Sequence, residues 1–276
     1  TDSGTLAIAG ATTISASGQD ITLDESASTF GTLALTGANV AVTENAATDL
    51  GASTVSGTFA ITSGGAITDS GTQAITGDAT FTNTAGSDDA ITLDDASNAF
   101  GGTVTFAADS GSAVTIVDTT ALDLVALTAA SLSATSGGAV TDSGTLAIAG
   151  ATTISASGQD ITLDESASTF GTLALTGVNV AVTDAGATDL GASTISGTLG
   201  ITSAGAVTDS GTLAVTGATT ISASGQDITL DESASTFGSL LLTGANVAVK
   251  DAGATDLGAS TVGGTLGITS AGAVTD

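Results

Sequence analysis

Thr29-Phe30-Gly31-Thr32-Leu33-Ala34-Leu35-Thr36-Gly37-Ala38-Asn39-Val40-Ala41-Val42-Thr43 is the stretch that decides the fold. Leu33 and Leu35 stand two apart, as do Val40 and Val42, and Gly37-Ala38-Asn39 separates the pairs. Successive side chains on a strand point to opposite sides, so apolar residues at period two mark a strand with one face on a core. Gly accepts unusual backbone angles, and Asn bonds back to its own backbone, so the segment between the pairs turns the chain. Outward from this stretch the rhythm holds. Leu6 and Ile8, then Thr12, Ile14 and Ala16, then Ile21 and Leu23, then Phe59 and Ile61 all share the period. Ser17-Gly18-Gln19-Asp20 and Ser63-Gly64-Gly65 punctuate them. No apolar stripe recurs at 3.6 residues, and 38 Gly interrupt the chain, so a helical reading fails.

The chain also copies itself. Thr1-Asp2-Ser3-Gly4 returns at Thr68, Thr141 and Thr208, and Thr275-Asp276 begins the motif again. Residues 1–37 and 141–177 are identical, and Ile14–Gly31 recurs at 154–171 and 221–238. The reading is repeat 1 over 1–67, a divergent repeat 2 over 68–140, repeat 3 over 141–207, repeat 4 over 208–274, and a further start at 275–276, in one continuous solenoid. It looks like a window cut from a longer array.

An apolar–Thr–acidic signal recurs inside each repeat, with its acid at Asp2, Asp24, Glu44, Asp69 and onward to Asp276. Taken as one signal per coil, it predicts about 12 coils of 20–25 residues in an all-β, right-handed parallel β-helix. Leu6, Ile8, Ile14, Leu33, Leu35, Val55 and Ile61 are expected inside, with Asp2, Glu25 and Asp49 exposed. A row of β-sandwiches is the alternative. A 67-residue unit is short for one, since sandwiches take about 100 residues.

Composition narrows function. There is no His, Cys, Arg, Trp or Tyr, and Lys250 alone faces 28 Asp and Glu, for a net charge of −27. Disulfides and thiolate or imidazole metal sites are therefore excluded. Nucleic-acid binding needs Lys and Arg to neutralise phosphate, so none is expected. Attraction to an anionic membrane fails likewise, and no apolar run is long enough for membrane insertion. Carboxylate pairs match glycoside hydrolysis only in residue type, because the Arg, His and aromatic partners of such sites are missing. The chain is not expected to be an enzyme.

Carboxylates do suit hard cations. Asp20, Asp24 and Glu25, with their copies Asp160, Asp164, Glu165 and Asp227, Asp231, Glu232, form the expected metal positions, with calcium as the ion. The competing reading is a solvated acidic face with diffuse counterions. Phe30, Phe170 and Phe237 are equivalents, with Phe100 placed similarly, and read as a core plug or a ladder. Asn39, Asn179 and Asn246 read as turn stabilisers. Lys250 stands where Thr183 stands one repeat earlier, beside Asp251, and reads as a drifted surface position.

The Gly/Ser/Thr/Ala texture, and runs such as Phe30-Gly31-Thr32-Leu33-Ala34-Leu35-Thr36-Gly37, resemble the β-helical repeat regions of large secreted bacterial adhesins of the filamentous haemagglutinin type. That resemblance implies an extracellular or cell-surface stalk, adhesin or surface filament with a structural role. Expected partners are further copies of itself, along or beside the rod, together with divalent cations or other surface polymers. A repeat-surface module binding glycan or ice through Thr12, Thr13 and Thr54 is the second reading. A β-helix polysaccharide-active enzyme is the third.

Overall fold

The computed structural model describes residues 1–84, 86 and 88–276, which fall into two compact units, Thr1–Gly138 and Ala139–Asp276. Every strand pairing given for the described residues is parallel and joins segments about one coil apart; the separation runs from 17 residues for Leu33 on Leu50 to 25 for Ala79 on Val104. Hairpins need antiparallel neighbours, so this pattern is a parallel β-solenoid, as expected. Among the described residues no segment is helical.

In the first unit one sheet stacks Ile21, Val40, Phe59, Ala79, Val104 and Leu124 in register. A second sheet carries Ala7–Ser15 on Thr29–Gly37. Thr29–Gly37 then pairs with Thr48–Leu50 and Ser53–Val55, two shorter strands split by a corner. In the second unit the corresponding stack is Val140, Ile161, Val180, Leu199, Thr219 and Leu240. Another stack runs Thr188, Val207, Ile228, Val247 and Leu266.

Period two sets the burial. Leu33, Leu35 and Val55 are fully buried and Ile61 is 1% exposed. Leu6 and Ile14 are only half-buried and Ile8 is 36% exposed, because their coil is the first and nothing described stacks on its outer edge. Their copies Leu146, Ile148 and Ile154 are buried, so the assigned face is right and the missing cover explains the difference. Asp2, Glu25 and Asp49 are half-buried rather than exposed. Asp49 accepts Oγ1–H of Thr32 at 2.8 Å and Oγ–H of Ser70 at 2.9 Å, which holds it down on the sheet.

The coil count is close to the expected one. The sheet through Ile21 has six strands in the first unit and the sheet through Ile161 has seven in the second, so thirteen rungs are described where twelve were expected. The acidic signal undercounts the coils, because its 25-residue steps from Glu44, Asp184 and Asp251 each exceed one coil. Glu44 pairs with Ser63, and Asp69 lies six residues beyond that partner, so the step from Glu44 to Asp69 is more than one coil. Coils average nearer 20 residues than 23. A 67-residue repeat is therefore not a whole number of coils. Ile161 stacks through Val180 and Leu199 to Thr219, three coils on, while its copy Ile228 comes nine residues later, partway along the 21-residue coil from Thr219 to Leu240. Consecutive copies are offset by about 3.4 coils and lie on different sheets.

Candidate functional site

Carboxylates stacked at the corners are the chemically distinctive feature, and they form three sets. The first sits at the outer turn. Asp20 Oδ1 accepts both the backbone N–H and the side-chain Nδ2–H of Asn39, at 3.2 and 2.9 Å. Asn39 Oδ1 in turn accepts the N–H and Oγ1–H of Thr58. Asp160, Asn179 and Thr198 repeat this, as do Asp227, Asn246 and Thr265. Each link spans one coil. The turn before the Asp is closed by Gln19 N–H on Ala16 carbonyl, with Gly18 at φ 72°. Gly158 and Gly225 keep the same left-handed angle, which any Cβ would strain. The expected turn role of Asn39, Asn179 and Asn246 is thus seen as a bridge between coils.

The second set is inside. Val40, Val42 and Glu44 share a parity, so Glu44 points to the core and is only 2% exposed. Its Oε1 accepts Phe30 N–H at 2.6 Å and its Oε2 accepts Thr48 Oγ1–H at 3.0 Å. Asp184 accepts Thr188 Oγ1–H and Gly186 N–H, and Asp118 accepts the N–H groups of Phe100 and Thr120. Asp251 is held by Thr255 and Gly253. Burial pushes Glu44, Asp118 and Asp184 up from the ordinary carboxylate range, and the bonds they accept oppose that shift.

The third set is the acid of Thr-Asp-Ser-Gly. Asp142 Oδ1 accepts Asp164 N–H at 2.8 Å, and Asp209 accepts the N–H groups of Asp231 and Glu232. Asp69 accepts the N–H groups of Asp94 and Asp95 and Nδ2–H of Asn98. Burial raises all three, with the neighbouring carboxylates adding a smaller push.

The nine expected cation positions are thereby placed. Asp20, Asp160 and Asp227 sit on the outer ladder. Asp24, Asp164 and Asp231 are exposed, each with its backbone N–H on the acid one coil before, and Glu25, Glu165 and Glu232 are half-buried beside them. Among the described residues no group of three or more such side chains converges as a metal ligand set would. The buried acids were legible only as coil markers. The signal that exposes their role is parity with the preceding apolar residues, joined to a Thr four positions on at Thr48, Thr188 and Thr255.

The remaining singled-out residues are plain. Phe30, Phe170 and Phe237 are 5–6% exposed and Phe100 is fully buried, so they are core. In the divergent repeat Phe81 packs on Phe59, Phe100 and Phe106 with ring centroids 5.8–6.0 Å apart. Lys250 faces outward and Asp251 inward from adjacent positions of one strand, so the strand itself separates them. Thr54 is exposed, but Thr12 points inward, and its copies Thr152 and Thr219 are fully buried.

No curated protein and no solved structure matches the chain. A family of repeats matches residues 1–36, 37–107, 111–176, 177–243 and 244–276, which is nearly the whole length. Its repeats are cut near Gly37 and Gly177, a different phase from the Thr-Asp-Ser-Gly landmarks, but of similar size. The chain therefore belongs to the family described as Repeats of unknown function (DUF5649).

Proposed function

We propose that the chain is a structural solenoid segment of an extracellular adhesin, stalk or surface filament. One observation carries the reading. Residues 154–171 and 221–238 are identical and show the same alternation of buried and exposed positions, yet their equivalent strands lie on different sheets. A catalytic or docking site needs one constellation on one side. A sequence copied so that its positions move from sheet to sheet supplies uniform coils instead, and length becomes the product. The buried acids fit this role, since each is held by hydrogen bonds that tie down the backbone, across a coil for Glu44 and Asp118 and within the following turn for Asp184 and Asp251.

The test is location. Antibodies raised against the exposed turn Ser157–Asp160 and its copies should label intact cells, and protease treatment of those cells should remove the label. Labelling seen only after the cells are permeabilised would overturn the proposal.

A further inference from the structure

We infer that the divergent repeat 68–140 is a proton-gated joint: it stays closed while Asp118 holds a proton, and it opens ahead of the rest of the chain once Asp118 ionises. The inference goes beyond the structural role proposed above and holds wherever the protein resides.

Glu44, Asp118, Asp184 and Asp251 each close a strand and point inward. In three of them a Thr four positions on satisfies the second carboxylate oxygen. Thr48 donates Oγ1–H to Glu44 Oε2, Thr188 to Asp184 Oδ2 and Thr255 to Asp251 Oδ2, at 3.0–3.1 Å. After Asp118 that position is Leu122, which has no donor. The carboxyl is therefore bonded on one side only. Oδ1 accepts Phe100 N–H at 3.1 Å, Thr120 N–H at 2.9 Å and Thr120 Oγ1–H at 2.8 Å. Among the described residues, Oδ2 is buried and has no hydrogen-bond partner.

That asymmetry suits the neutral acid. A protonated carboxyl has one oxygen that only accepts and one that carries hydrogen. Oδ1 fills the first role, and Oδ2 can take the proton without meeting a donor. Protonating Glu44 or Asp184 sets the new hydrogen against an N–H or O–H at either oxygen. Ionising Asp118 leaves a charged oxygen bare in a residue that is 1% exposed, the costly state of a buried carboxylate. Burial raises Asp118, opposed by the bonds from Thr120 and Phe100.

No cation offsets the charge. The neighbouring strands Ile91–Leu93, Ala99–Phe100 and Ser131–Ser136 carry no ionisable side chain. Asp94 beyond the first is exposed, and Asp95 Oδ1 is taken up by Thr72 Oγ1–H and Ser97 N–H. Asp123 alternates with the buried Leu122 and Leu124, so it points to the opposite side. Asp88, Asp89 and Asp109 precede these strands, at the end away from Asp118. Lys250, the single Lys, belongs to the other unit.

The surroundings are short of partners as well. Among the described residues, nine buried side-chain oxygens lack one. Three belong to the copies Thr12, Thr152 and Thr219, and one to Asp2. The other five, on Gln73, Asn83, Ser112, Asp118 and Asp123, all fall within 68–140. Water supplies the unmade bonds when the coils part, which lowers the cost of opening there. The sign follows from the raised folded value. Stability linked to Asp118 is fully present below about 3.9 and is lost as pH rises through that folded value.

Carbon-13 carboxyl NMR of the 276-residue chain, with each signal assigned through its backbone, reads the titration directly. The Asp118 midpoint is expected above those of Glu44 and Asp184. Thr188→Val, which bares the second oxygen of Asp184, should move the Asp184 midpoint upward. Hydrogen exchange, corrected for its intrinsic pH dependence, reads the opening. Amides of residues 113–124 should lose protection several-fold between about pH 4 and about pH 7, while those of 180–190 lose less. Asp118→Asn cannot ionise and should abolish that loss. An Asp118 midpoint at or below those of Glu44 and Asp184 would overturn the inference. So would an equal loss of protection in Asp118→Asn.

Discussion

Residues 154–171 and 221–238 have one sequence and two addresses. Ile161 sits on the sheet of Val140 and Val180, while Ile228 sits on the sheet of Val207 and Val247. Yet Ile154, Ala156, Ile161, Leu163, Ser168 and Phe170 are buried in one copy, and Ile221, Ala223, Ile228, Leu230, Ser235 and Phe237 in the other. Local sequence therefore fixes which side chains enter the core and where the chain turns. It does not fix the sheet. Residue counting does that, because 67 residues overrun three coils by less than half of a fourth. A solenoid whose sheets accept the same side chains tolerates such a slip; a fold with dissimilar layers would not.

If the two addresses are equivalent, paired substitutions must cost the same. The largest effect is expected from Ile161→Asp and Ile228→Asp, each placing an unpaired charge in an apolar stack at a cost of several kcal/mol. Denaturant midpoints should fall by equal amounts. A tolerant copy would show that the two sheets bury these positions differently.

The next effect is on pH. Asp142 and Asp209 hold the same place in the two copies, and burial raises both. A raised folded value means the folded state binds the proton more tightly, so stability falls as pH rises through that value and is fully present below about 3.9, the ordinary Asp value. Melting temperature should therefore rise as pH is lowered from neutrality towards about 3.9. Asp142→Asn and Asp209→Asn should flatten that slope equally, and a slope that either variant leaves unchanged would remove its Asp from the account.

Smaller still is the turn Ser. Ser168 and Ser235 Oγ accept Leu146 and Leu213 N–H, both at 3.0 Å. Ser168→Ala and Ser235→Ala should each cost about 1 kcal/mol through an unsatisfied buried N–H. Unequal losses in urea unfolding would mark one junction as differently packed. Lys250→Thr, which restores the residue found at Thr183, should change stability by less than about 0.5 kcal/mol, being exposed and separated from Asp251 by the strand.

Parity made the fold legible. Leu33, Leu35, Val40 and Val42 announce strands with one buried face, and the copied motifs announce stacking. The phase was not legible, because coil length varies from 17 to 25 residues and no residue type marks a corner. The acidic signal looked like a ruler but tracks sequence repeats, not coils. Buried carboxylates were missed for an energetic reason. An Asp or Glu alone is expected outside, and partners from a neighbouring coil, Phe30 N–H for Glu44 or Asp164 N–H for Asp142, help to satisfy it inside. Those partners are 14 and 22 residues away and invisible to local pattern.

The offset between copies is the central claim, and spin-label distances test it most directly. Thr162 leads through Ala181 and Gly200 to Thr220 along one row of one sheet, three rungs or about 14 Å away. Thr229, the copy of Thr162, belongs to the other sheet, and with sheets about 10 Å apart its label should be farther off, near 19 Å or more. Electron paramagnetic resonance on labelled Cys pairs should give the shorter distance for 162 with 220 and the longer for 162 with 229. The reverse order would mean that each repeat closes on a whole number of coils, and it would contradict the account.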